Sequence, residues 1–176
     1  MSKAAKIFEI SITDSIDLLK CYDGLNKSSP HSAPEVLKRA ALIMVLTAWE
    51  TYVEDRVIEI LDVKYGVIKG SSLGDFVENK LAEELKRFNN PDSQKTKKLF
   101  MDFIGVDVTE KWLWANTDPK SARTILNQWI NKRGEAVHRS RVEQQEAHIV
   151  KRDELDKCVR FFKELVNATE SALDNV

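Results

Sequence analysis

Apolar residues recur along much of the chain at steps of three and four. Phe8, Ile12, Ile16 and Leu19 fall on one face of a helix predicted over about Ser2–Tyr22. Asp23-Gly24 and the Ser-, Asn- and Pro-rich stretch 26–33 predict its end and a loop. A second helix is expected to open near Pro34, with Ser32 or Ala33 at the cap, because proline suits the first helical turn. It runs to about Lys64. Its first half, Ala40–Trp49, is almost unbroken apolar sequence, the pattern of a central, buried helix. Its second half is amphipathic, with Trp49, Tyr52, Val53, Val57 and Leu61 apolar and Glu50, Glu54 and Asp55 polar. Thirty residues of helix reach about 45 Å, enough to span a small domain.

Shorter elements follow. Gly66 and Gly70-Ser71-Ser72 mark a loop. A helix over about Leu73–Phe88 carries Phe76, Leu81 and Leu85, and Asn89-Asn90-Pro91-Asp92 ends it. Lys95–Ile104 reads as a short helix with Leu99, Phe100 and Phe103 inside. Gly105–Asp107 is a turn, and Thr109 is placed to cap one more turn reaching Trp112. Asp118-Pro119 repeats the cap-plus-proline signal ahead of a helix over about Lys120–Val137, with Ala122, Ile125, Leu126, Trp129 and Ile130 on one side. Stretch 140–148 is polar with weak periodicity. The last helix, about Asp153–Leu173, is well patterned: Leu155, Val159, Phe162, Val166, Thr169 and Leu173, flanked by Cys158 and Leu165. The expectation is all-α: a single domain over residues 1–176, a bundle of four long helices with a small helical insertion at about 71–116.

Composition agrees with that class. Of 176 residues 43% are hydrophobic and 31% charged, with only six Gly and four Pro, which is enough apolar material for a core and a bias toward helix formers. Formal net charge is −1, so a surface for nucleic acid has to be local. Cys21 and Cys158 have no metal-type spacing and both fall near apolar stripes, so both are expected as buried thiols in a reducing compartment. Glu9, Asp14 and Asp17 interrupt any leader-like apolar run, and no segment approaches a membrane span. A cytoplasmic protein without membrane attachment is expected. Phosphate-binding glycine loops, dinucleotide fingerprints and H-E-x-x-H or G-x-S-x-G motifs are missing, and His31 has no carboxylate or cysteine at ligand spacing. Neither a metal site nor a cofactor is expected.

The concrete chemistry lies in Trp129–Arg141, W-I-N-K-R-G-E-A-V-H-R-S-R. Arg133 and His138 are separated by four residues. Histidine exchanges protons near neutrality, and arginine offers a planar, permanently charged fork that fits a phosphate. Arg141 and His148 repeat the pairing at a gap of six, but without an apolar anchor like Trp129-Ile130 beside them. On a continuous helix a five-residue offset swings a side chain by about 140°. Arg133 and His138 then share a site only if the helix breaks, which Gly134 could allow, or if a second copy of the chain contributes.

The segment N-K-R-G-E-A-V-H-R resembles the signature of the HEPN superfamily, an arginine followed after four to six residues by a histidine in an all-α bundle. Ala-Trp-Glu-Thr-Tyr-Val-Glu, Ala48–Glu54, resembles the equivalent long helix of prokaryotic stand-alone members. The resemblance implies a homodimeric, metal-independent endoribonuclease of the kind used in toxin–antitoxin or phage-defence systems. Arg133 and His138 would be its catalytic residues in a composite cleft between two subunits. It also implies that a polar or acidic residue on the long helix orients the motif, which singles out Glu50 and Glu54. The competing reading of these two is a solvated face paired with Arg56 and lysines. The alternative within the family is a non-catalytic dimeric module that binds RNA, a nucleotide or a protein partner. Two departures stand out. Family motifs commonly follow the arginine with a polar residue, often Asn, where this chain has Gly134. Some toxin members carry a tyrosine two positions after the histidine, modified by a partner nucleotidyltransferase; here it is Ser140. An antitoxin or nucleotidyltransferase remains a partner to test for.

The basic residues Lys120, Arg123, Lys132, Arg133, Arg139 and Arg141 form the densest positive run. Lys132, Arg139, Arg141 and Arg123 are the candidates for holding RNA phosphates, which would make binding salt-sensitive. Trp112 and Trp114 could stack on bases, though two tryptophans in a short apolar segment more commonly belong to a core.

Overall fold

A computed structural model describes residues 1–29, 33–138 and 150–174, together with the backbone but not the side chain of His138. Six α-helices run in chain order among them: α1 (Lys3–Ser28), α2 (Val36–Lys64), α3 (Ser72–Leu85), α4 (Ser93–Phe103), α5 (Pro119–His138) and α6 (Arg152–Leu173). Short 3-10 turns at Gly66–Ile68 and Val108–Lys111 join them, and no strand occurs among the described residues. The architecture is all-α: α1, α2, α5 and α6 are the long members, and the shorter α3 and α4 lie between α2 and α5 in the chain.

Helix α2 is the axis of the bundle. Ala41, Leu42, Val45, Leu46, Trp49, Val53 and Val57 are fully buried, and Tyr52 nearly so. A helix apolar on several sides is stable only when neighbours cover each side, and here α1, α5, α6 and α4 all pack on it. Trp49 is the hub: its ring meets Tyr52, Trp112 and Phe162 at centroid distances of 5.7–6.2 Å. Helix α6 buries the expected stripe, Leu155, Val159, Phe162, Val166, Thr169 and Leu173, with Cys158 and Leu165.

Carboxylates tie the ends of the long helices together. Glu59 of α2 accepts from the Lys3 and Ala4 amides, and Glu170 of α6 accepts from the Ser2 amide, the Tyr52 hydroxyl and Arg56 Nε at 2.8–2.9 Å. These bonds satisfy amides that a helix start leaves without intrahelical partners.

Several local expectations are corrected. Helix α1 does not stop at Asp23-Gly24 but continues to Ser28. Asp23 is clamped bidentately by Arg152 Nε and Nη2, at 2.9 and 2.7 Å, and this holds the turn despite the helix cost of Gly24, about 1 kcal/mol. Cys21 is exposed while Cys158 is buried; two residues past the buried Leu19, Cys21 is turned about 200° away from the stripe. Phe76 is exposed because α3 lays Gly74, Val77, Leu81 and Leu85 toward α2, and Phe76 falls beside that line. The 3-10 turn before Trp112 is capped by Asp107, whose carboxylate accepts from the Thr109 amide, rather than by Thr109 itself. Trp112 is core, its N–H donating to Thr169 Oγ1, and Trp114 is half-buried against Phe161.

Candidate functional site

Helix α5 delivers Arg133 to the flank of α2. Ala122, Leu126 and Trp129 bury the inner face of α5 and fix its rotation, so Arg133 arrives opposite Thr47 and Glu50. The guanidinium is held closely. Nη1 donates to Glu50 Oε2 and to Asn90 Oδ1, both at 2.7 Å. Nη2 makes a looser 3.4 Å contact with the Thr47 hydroxyl. Arg133 and Glu50 are about four-fifths buried at their side chains, at 16% and 21% exposure, so the pair is shielded from solvent more than a surface ion pair is. Glu50 Oε2 also accepts from the Asn90 amide at 3.0 Å. Arg133, Glu50 and Asn90 therefore form a closed triangle.

Asn90 reaches the site from the turn between α3 and α4. It has φ of +48°, a left-handed conformation that asparagine tolerates better than most residues. Three bonds hold its turn: Trp49 Nε1 donates to the Pro91 carbonyl at 3.1 Å, Lys95 Nζ to the Asn89 carbonyl at 2.6 Å, and the Ser93 amide to Asn127 Oδ1 on α5 at 3.0 Å. Neither Asn90 nor Thr47 stood out in the sequence. The run Asn89-Asn90-Pro91-Asp92 announced a turn, but nothing in it revealed that the turn packs between α2 and α5.

Glu54 lies one turn beyond Glu50 on α2. Burial first, then the charges of Glu50 and Asp55, push its carboxyl up to about 7. It makes no hydrogen bond or ion pair among the described residues, so the Glu50–Glu54 pair divides: Glu50 engages Arg133, and Glu54 stays apart from it.

The other basic candidates are dispersed. Lys132 pairs with Glu154 at 3.1 Å and lies 5.0 Å from the Trp129 ring centroid, a cation–π distance. Arg123 pairs with Glu110 at 2.8 Å and donates to the Thr109 carbonyl. Ten residues before Arg133, it is about 15 Å away along α5. Arg139, Ser140, Arg141 and His148 fall outside the described residues, as does the side chain of His138. Helix α5 runs unbroken through Gly134 to His138, so of the two routes to a shared site, a helix break or a second copy of the chain, the break is not present. Position 138 consequently lies about 140° round the helix from position 133. No group of three or more His, Cys, Asp or Glu placed to hold a metal ion occurs among the described residues.

The family model HEPN_RiboL-PSP, described as RiboL-PSP-HEPN, matches residues 11–175. The chain belongs to this HEPN family. No curated protein and no solved structure matches it to add a relative. The family assignment agrees with the all-α bundle and with the resemblance carried by Arg133 and His138. In this HEPN domain no helix among the described residues is long and apolar enough to cross a membrane.

The triangle has a definite chemical capacity. A guanidinium has five N–H donors. Two are taken on Nη1, and one Nη2 hydrogen leans toward Thr47. The Nε hydrogen and the second Nη2 hydrogen have no partner among the described residues. Glu50 offsets the arginine charge and fixes its orientation, and two unpaired N–H donors on one guanidinium match the oxygens of a phosphate.

Proposed function

We propose that this HEPN domain is a metal-independent endoribonuclease working as a homodimer, with Arg133 and His138 from different subunits meeting in one composite cleft. The observation that carries this reading is the anchored guanidinium of Arg133: one nitrogen is fixed by Glu50 and Asn90, and Nε has no partner among the described residues, on the helix that carries His138. In the reaction, the ribose 2′-oxygen gives up its proton and attacks phosphorus. The bond from phosphorus to the 5′-oxygen breaks, and that oxygen takes a proton, leaving a 2′,3′-cyclic phosphate and a 5′-hydroxyl. Arg133 balances the charge that builds on the phosphoryl oxygens, and His138 serves as the base or the acid. The need for a 2′-hydroxyl makes RNA, not DNA, the substrate. Lys132, Arg139, Arg141 and Arg123 would hold flanking phosphates, and cleavage should weaken as salt rises. A toxin or phage-defence role fits this activity, with an antitoxin or a nucleotidyltransferase acting near Ser140 as its regulator.

The test is cleavage of a labelled mixed-sequence RNA in EDTA, beside a matching DNA strand, by the wild type and His138→Ala. RNA-only, EDTA-resistant cleavage lost in the variant is the expected result. A specific feature favours a second reading, a non-catalytic HEPN module: Glu50 already neutralises Arg133. On that reading RNA binds and stays intact, and His138→Ala changes nothing.

A further inference from the structure

The Arg133–Glu50 contact has an unusual form for a shielded pair. Arginine and a carboxylate commonly lock fork to fork through two parallel bonds. Here Glu50 receives one guanidinium nitrogen on one oxygen, and the second hydrogen of that nitrogen goes to Asn90 Oδ1 instead, at the same 2.7 Å. Asn90 also places its own amide on Glu50 Oε2 at 3.0 Å. One residue thus acts on both partners, taking a donor from the arginine and filling an acceptor of the carboxylate.

We propose that Asn90 is a positioning residue that keeps the Arg133–Glu50 pair single-bonded, so that the Nη2 and Nε edge beside Thr47 is held open for a phosphate. This rests on the ribonuclease reading. Without the Asn90 side chain, only the looser 3.4 Å contact of Nη2 with Thr47 opposes rotation of the guanidinium into a bidentate lock on Glu50. That rotation would consume the donors meant for substrate. The Asn90 turn itself is immobilised by Trp49, Lys95 and Asn127, so its amide is presented from a rigid support rather than from a wandering loop. The role is specific to the side-chain oxygen, because the backbone bond to Glu50 survives any substitution that keeps the turn.

The positive φ of Asn90 supplies a clean test. Asn90→Gly keeps the left-handed backbone and the amide to Glu50 and removes only the side-chain acceptor. Cleavage of labelled RNA by Asn90→Gly should fall roughly 10- to 100-fold in kcat with KM little changed, the size expected when a catalytic group shifts by about an ångström. Asn90→Gly cleaving like the wild type would overturn the proposal. A second readout needs no activity. The guanidinium nitrogens of Arg133, identified by loss of their NMR signals in Arg133→Lys, should show slowed rotation with separate Nη signals in the wild type. The pattern should change in Asn90→Gly. Unchanged Arg133 signals in Asn90→Gly count against the positioning role, whereas a wild type that cleaves no RNA counts against the ribonuclease reading.

Discussion

Glu54 shows how finely the α2 flank is tuned. Its neighbour Glu50 has Arg133 and the Asn90 amide to support its charge, whereas Glu54 is half-buried beside that charge with no such support. Its carboxyl is pushed from 4.5 up to about 7, by burial first and then by Glu50 and Asp55. The consequence for stability has a definite sign. Below about pH 4.5 the group is protonated in both folded and unfolded chains and contributes nothing to the difference. Between 4.5 and 7 the unfolded chain releases the proton while the folded one keeps it, so stability falls as pH rises through this window and levels off above it. Glu54→Gln removes that dependence. Its thermal midpoint should match the wild type near pH 4.5 and exceed it at pH 8, by about 2–4 °C for each kcal/mol relieved in a chain of this size. Melting curves at the two pH values decide it. Equal midpoints at pH 8 would mean that Glu54 ionises in the folded chain as readily as in water.

Two glycines separate what an element requires from what it tolerates. Gly74 opens α3 against the preceding 3-10 turn, and a Cβ there would sit 2.3 Å from the Ile68 carbonyl oxygen. Backbone cannot yield as a flexible side chain does, so Gly74→Ala should cost about 1–3 kcal/mol. Gly134 lies inside α5, and no atom of the described residues comes within 4 Å of its would-be Cβ. Gly134→Ala should therefore stabilise, by about 0.5–1 kcal/mol. Calorimetry on the two variants should move the midpoint in opposite directions; a Gly134→Ala that melts early would reopen the idea of a break in α5. The same contrast explains what the sequence made legible. Periodicity located α2, α5 and α6 closely, because each long stripe of apolar residues has one solution in a bundle. It ended α1 too early, because the helix is carried past Gly24 by Arg152, a partner 129 residues from Asp23. Arg133 and Glu50, which the fold brings together, could be singled out because their types and positions carry chemistry, as could His138, whose side chain lies outside the described residues. Asn90 and Thr47 could not, because an asparagine in an Asn-Asn-Pro turn signals backbone geometry, and its contact with Arg133 exists only once that turn is packed between α2 and α5.

At the scale of the molecule, the proposed ribonuclease requires Arg133 and His138 to meet at one substrate. Two clefts of about 280 Å³ are described, one between α2 and α3 and one between the start of α1 and α2, and neither reaches Arg133. Arg133 instead lies at the contact of α2, α5 and the turn before α4, with 16% of its side chain exposed. An unbroken α5 sets positions 133 and 138 about 140° apart, which one copy of the chain does not reconcile within a single helix. The proposed homodimer reconciles them: if position 133 of one subunit meets position 138 of the other, two-fold symmetry makes the same contact twice. This gives an outcome that no single-subunit site can imitate. In a heterodimer of Arg133→Ala with His138→Ala, one composite site has lost both residues and the other has lost neither. Coexpressed with different tags and allowed to pair at random, the two inactive variants should recover about a quarter of the wild-type cleavage: half of the dimers are mixed, and each mixed dimer holds one intact site of two. Heterodimer purified through both tags should recover about half. The proportions follow from the symmetry alone. Two variants that stay inactive together, in a species that sedimentation shows to be a dimer, would place Arg133 and His138 in the same subunit's site and require α5 to unwind at Gly134 when RNA binds.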